Sequence, residues 1–289
     1  MLRILPFVLL LAVTLVPSHT ALGQRFEGVI HQRTMTIEEA AIQDLLFGDG
    51  DEEDIENETE EAYTRRMAHR LFEMSMDRVM AAARDGGEVA DVTTYVKGNK
   101  VRSGIGDADS PFAWAVVDLD AGTVTMVNEQ EQYFVRWTRE EFEREMQAMG
   151  LPTGGGEAAG VPPQRHALNR TVVVGGQTCR GFELMSEEGE FAWGWVTDGY
   201  PALQQSLRDY GERAGSIFGD EEDEGPSIDD LLYEHGFPMR MQQLYGGFGY
   251  FSSYEVEEVL SIEQEPVPDA TFAVPAGFAQ KSLKELWGR

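Results

Sequence analysis

Val92-Thr-Thr-Tyr-Val-Lys-Gly-Asn-Lys-Val-Arg-Ser-Gly-Ile105 is the stretch that decides the fold. Two β-prone runs, Val92 to Lys97 and Lys100 to Ile105, flank Gly98-Asn99. A Gly-Asn pair supplies the positive φ angles of a two-residue hairpin turn, so this stretch predicts two adjacent antiparallel strands. The same grammar repeats outward. Ala113 to Leu119 and Thr123 to Asn128 flank Asp120-Ala121-Gly122, and Gln132 to Trp137 follows. Further on, Arg170 to Val174 and Thr178 to Met185 flank Gly175-Gly176, with Glu190 to Thr197 next. Pro238 to Leu244 and Tyr250 to Gln264 close the series, and Phe26 to Thr36 opens it. Short strands joined by tight turns are the pattern of an antiparallel meander.

Helical signals interrupt the meander. Thr36 with Glu39 predicts a capping box opening a helix through Leu46. Glu60 to Arg84 carries Tyr63, Met67, Leu71, Met74 and Val79 at helical spacing, which predicts one long helix stopped by Gly86-Gly87. Thr138 with Glu141 repeats the capping box before a helix to Met149. Pro201 to Phe218 is a further helix, Asp229 to Glu234 adds a turn or two, and a short one spans Lys281 to Trp287. Gly48 to Glu58, Gly154 to Pro163 and Asp220 to Pro226 read as linkers, the first and third acidic enough to predict disorder. The expected organisation is one domain over 24–279, with helical and acidic insertions at 37–88 and 201–235, and a short helical tail over 280–289.

Residues 1–23 read as an export signal. Arg3 gives a positive start, Ile4 to Val16 an apolar run, and Ala21-Leu22-Gly23 small residues at the usual cleavage spacing. The expectation is a periplasmic or secreted protein, cut near Gly23, that does not span a membrane, because no stretch has roughly 20 apolar residues. The single cysteine, Cys179, excludes an internal disulfide and reads as a small buried hydrophobe. With 51 acidic against 23 basic residues and a net charge of −28, the chain repels nucleic acid and anionic membrane surfaces, so neither is an expected partner.

Motifs for catalysis are missing. Acidic runs from Asp49 and Asp220 fail the calcium-loop pattern: the first has Asp54 where glycine is needed, and the second has Leu231 at the closing ligand position. Gly154-x-Gly156-x-x-Ala159 imitates a dinucleotide fingerprint, but no strand precedes it. No nucleophile elbow, zinc helix, Walker loop or Cys-x-x-Cys exists, and the histidines are dispersed. The expectation is therefore a protein with no catalytic residues, no cofactor and no metal. The aromatics are more informative. Phe191, Trp193 and Trp195 alternate along one strand and share a face, and Tyr133, Val135 and Trp137 do the same on another. Each row is either ordinary core or one wall of an apolar pocket. Met67 and Met74, with Met76 and Met80, would give such a pocket an adaptable lining.

An ordered set of motifs supports a resemblance. Tyr95 to Arg102, Val117 to Thr125 with Tyr133, Gly176 to Arg180, Trp195 to Asp198, Gly236-Phe-Pro238, and Val267-Pro-Asp269 through Phe278 resemble segments of an uncharacterised family of exported bacterial domains. That family is similar to the LolA/LolB-like periplasmic lipoprotein carriers. The resemblance implies an α+β, LolA-like fold: an open, strongly curved antiparallel half-barrel sheet with helices packed on the concave face. It also implies a non-catalytic protein binding a lipid, a lipoprotein acyl chain or an apolar segment of a partner. No residue of those carriers is carried over, and the candidate site is the set read from the strands and the helix: Phe191, Trp193, Trp195, Tyr133, Val135, Trp137, Met67 and Met74. The alternative is a structural or protein-interaction domain of the cell envelope with a filled core. Oligomeric state is left open.

Overall fold

The computed structural model describes residues 25–48, 59–106, 110–149, 163–186, 190–218, 228–247 and 250–287. The expected export signal and most of the three linkers lie outside them. The chain opens with β1 (Glu27–Glu38), α1 (Glu39–Phe47), α2 (Glu60–Phe72) and α3 (Met76–Gly86). A run of strands follows: β2 (Gly87–Lys97), β3 (Lys100–Gly104), β4 (Trp114–Asp118), β5 (Thr123–Asn128) and β6 (Tyr133–Thr138), then α4 (Arg139–Ala148). Next come β7 (Gln164–Val174), β8 (Gln177–Met185), β9 (Phe191–Thr197), α5 (Pro201–Phe218) and α6 (Ile228–Tyr233). The chain closes with β10 (Phe237–Gly247), β11 (Tyr250–Glu263), β12 (Ala279–Lys281) and α7 (Leu283–Trp287).

All twelve strands form one sheet in the order β12-β6-β5-β4-β3-β2-β1-β11-β10-β9-β8-β7. Every neighbouring pair is antiparallel except the short β12–β6 edge pair. The two end strands do not pair, so the sheet is open. It is also strongly curved. Three strands separate β7 from β11, about 19 Å in a flat sheet, yet a Cβ built on Gly175 in the β7–β8 turn would lie 3.0 Å from the Val259 carbonyl oxygen of β11.

The opening stretch folds as its turn chemistry demands: Lys97 pairs with Lys100 and Gly98 takes a φ of 60°. The capping box at Thr138 and Glu141 forms as read. The one at Thr36 does not. Thr36 pairs with both Glu88 and Glu255, so ladder bonds on two sides carry β1 on to Glu38 before α1 starts. The single helix expected over Glu60 to Arg84 is two helices. Ser75 sits extended at ψ 143° and its side chain caps α3 by accepting from the Arg78 amide, turning α3 on to β1 and β2.

The sheet buries opposite faces in its two halves. Along β1, Met35 and Ile37 face α1–α3, while Ile30, at the other parity, faces α5. On the α2 face, α1–α3 fill the concavity of β1, β2 and β8–β11. Farther along that face, Val267 and Phe272 of the closing segment cover Val29, Trp114, Val116 and Val127. On the α5 face, α4 and α5 cover the β4–β6 end, where Trp137 packs on Phe142. Leu232 of α6 covers Leu184, Ala192, Val196 and Met241 at the other end.

Candidate functional site

Two regions qualify: the mouth under α2, where half of the candidate residues converge, and the uncovered middle of the α5 face. The structure brings Phe191, Trp193, Trp195 and Met67 together beneath α2, all at 2% exposure or less, with Met74 partly buried at the rim. Tyr133, Val135 and Trp137 are buried too, but on the other face. Strand pairing fixes this. Trp193 is opposite Gln242, Gln242 opposite Val256, and Val256 opposite Met35. From the other end, Trp137 pairs with Val124, Val124 with Val117, Val117 with Val101, Val101 with Val96, and Val96 with Gly28. Met35 and Gly28 are an odd number of residues apart on β1, so the two rows point to opposite sides and cannot wall one pocket.

The α2 mouth is sealed. The Trp193 ring is boxed by His69 at 5.1 Å, Phe72 at 5.2 Å and Trp195 at 6.1 Å between centroids, with the Arg170 guanidinium 4.2 Å above it. Glu183 lies beneath, 8% exposed at its side chain. It meets His69 Nε2 at 2.5 Å, accepts from Trp193 Nε1 at 3.3 Å and has Arg65 Nε 3.6 Å away. A buried carboxylate needs such donors to offset its lost hydration. Gln242, 1% exposed, accepts from Trp195 Nε1 and donates to the Phe72 carbonyl and the Tyr254 hydroxyl, which pins α2 to the sheet. Burial pushes the Tyr254 hydroxyl well above the ordinary tyrosine pKa, keeping it a neutral partner. Swinging α2 aside would expose Met67, Leu71 and Phe72, at 4% exposure or less. At about 1.5–3 kcal/mol each, that is roughly 5–9 kcal/mol, close to the stability of a whole domain.

The α5 face has space where α5 and α6 leave the sheet bare. An open groove of about 890 Å³ runs there, counting its solvent-facing mouth. Ile30, Val92, Leu207, Phe237 and Val259 are its apolar lining, all buried. Gln32, Thr34, Thr94 and Ser103 are interleaved with them: Ile30 pairs with Thr94, and Gln32 with both Val92 and Val259. Thr94 and Ser103 share a 2.9 Å hydrogen bond, and Thr94 reaches Gln32 at 3.5 Å. The sequence reading missed these four. Their signal was present: on β1 the apolar positions change parity between Ile30 and Met35, leaving Gln32 and Thr34 facing the side that Ile30 faces. No cluster of metal-ligating side chains occurs among the described residues, and no helix among them is long and apolar enough to cross a membrane.

No family model matches the chain, and no curated protein matches it. Solved structures give distant likenesses. A protein described as PNGF-II is 10% identical with a TM-score of 0.33, covering 89% of this chain, which spans 32% of that protein's length. An uncharacterised conserved protein from Thermus thermophilus is 8% identical at 0.34, covering 68% of this chain and 82% of its own. A LolA superfamily protein from Nitrosomonas europaea is 9% identical at 0.29, covering 87% and 91%. Similarities of this strength carry no argument about what the chain does. Architecture defines the class: an α+β protein with one open, curved antiparallel sheet and helices packed in its concavity.

Proposed function

We propose that this is an exported, non-catalytic protein that binds an amphiphile, a lipid or an acyl chain with a polar end, in the groove between α5 and α6. The observation that carries the reading is the groove's mixed lining, in which apolar side chains stand beside hydrogen-bonding ones. The hydrocarbon part lies against Ile30, Leu207, Phe237 and Val259, and the polar end meets Gln32, Thr94 and Ser103. This reading places the ligand on the face opposite the Trp193 row, whose side chains are buried. Export rests on the composition of residues 1–23.

The test is titration of the purified protein with a fluorescent fatty acid, alongside Ser103→Trp, which fills the groove without touching the core. Saturable binding lost in that variant is the expected result. Equal binding by both proteins, or none by the wild type, overturns the proposal. A second reading, a structural or interaction domain with a filled core, is favoured by the closed packing of α1–α3 on the concave face. Under it, native mass spectrometry of protein from its own host returns the bare mass.

A further inference from the structure

A second cavity lies at the β2–β3 turn, enclosing about 530 Å³ with its open mouth. Arg25, Asn99, Ser206, Asp209, Tyr210 and Arg213 line it, together with Leu119. Two of these charges are uncompensated. Arg25 donates to the Asn99 side-chain oxygen at 2.5 Å and, among the described residues, meets no carboxylate. Asp209 accepts from Gln205 at 2.5 Å and, among the described residues, meets no cation. They share a cavity without pairing with each other. In a chain of net charge −28, an arginine left without an acid is out of keeping with its surroundings.

The hydroxyls point the same way. Tyr210 is 7% exposed, lines the cavity and has no hydrogen-bond partner among the described residues. Ser206 accepts from the Phe26 amide, which leaves its own proton free to donate. Arg213 adds a second guanidinium, tied to the Leu119 carbonyl and 3.7 Å from Asp120. The cavity therefore offers a cationic donor side and a separate single carboxylate.

We infer that this cavity is a binding site for a small zwitterion, carrying a carboxylate or phosphate and a primary ammonium. Its anionic end meets Arg25, Arg213 and the Ser206 and Tyr210 hydroxyls, where charge-assisted bonds are strongest. Its ammonium meets Asp209. The site lies on a different part of α5 from the groove and stands or falls independently of it.

Isothermal titration of the full chain as isolated decides the matter, with glycine, O-phosphoethanolamine, inorganic phosphate and ethanolamine as separate probes. Saturable binding of at least one zwitterion, about tenfold or more tighter than phosphate or ethanolamine alone, is expected. Arg25→Gln and Asp209→Asn should each weaken it about tenfold. Both side chains are exposed, and unchanged melting of the variants confirms that they fold. Phosphatidylcholine vesicles with and without phosphatidylethanolamine separate a lipid headgroup from a free metabolite, and binding that needs both charges supports the site in either form. Phosphate binding that is as tight as zwitterion binding and indifferent to Asp209→Asn overturns it. So does failure of every probe at about 10 mM, a weakness beyond useful affinity.

Discussion

Tyr133-Val135-Trp137 and Phe191-Trp193-Trp195 read alike in the sequence: three large apolar side chains, alternating, on one strand. In the fold they serve opposite sides of one sheet. The first row is closed by α4 and the α5 side of the core, and the second by α1–α3. Alternation fixes which residues of a strand share a face, but not which face that is. The transfer happens along β1 and β2, long strands whose apolar parity changes midway. Where one core ends and the other begins, polar side chains stand among the apolar ones on the α5 face, and that strip lines the groove.

The strongest challenge to this comparison is removal of the sealed row's central ring. Trp193→Ala should lower unfolding stability by about 3–5 kcal/mol, read from the urea midpoint at constant m-value. A loss below about 1 kcal/mol would mean that α2 rests loosely on the sheet, and the concave face would again be a candidate ligand space.

Much of this was legible. The hairpins at Gly98-Asn99, Asp120-Ala121-Gly122 and Gly175-Gly176, the cap at Thr138 and the helix from Pro201 were read correctly, because each is decided by a few adjacent residues. Thr36 was misread because its capping geometry competes with two ladders whose partners, Glu88 and Glu255, are distant in sequence. The break at Ser75 was missed because Met74, Met76 and Met80 continue an apolar pattern on both sides of it. The groove depends on five strands and two helices meeting in three dimensions, and only the parity change on β1 marked it.

A smaller effect should come from the tight cover that bounds the groove. A Cβ added at Gly194 would lie 2.1 Å from Leu232 Cδ2, so Gly194→Ala forces α6 off β9. Overpacking of this kind costs about 1–3 kcal/mol. Adding Leu232→Ala should return part of that loss, a coupling that a double-mutant cycle measures. Strict additivity would show that α6 does not rest on Gly194, and the groove would lose its rigid wall.

The smallest effect is a pH dependence in the turn just after that helix. His235 stacks on Phe182 at 4.7 Å, beside Arg165 and Arg180. Its pKa is lowered first by burial and then by Arg165, with Arg180 adding a little and Glu234 opposing. A histidine lowered in the folded state takes up its proton first when unfolded. Its contribution is therefore intact above the unfolded value, about 6.5, and is lost as pH falls through the folded value. Glu234 and Asp198 are close by, so the wild type must be compared with His235→Gln, which keeps both. The stability advantage of wild type over variant should shrink between about pH 8 and pH 5. An advantage that stays level across that range would mean the ring takes up its proton as readily folded as unfolded, and the α6 side of the groove would then be wetter than its packing implies.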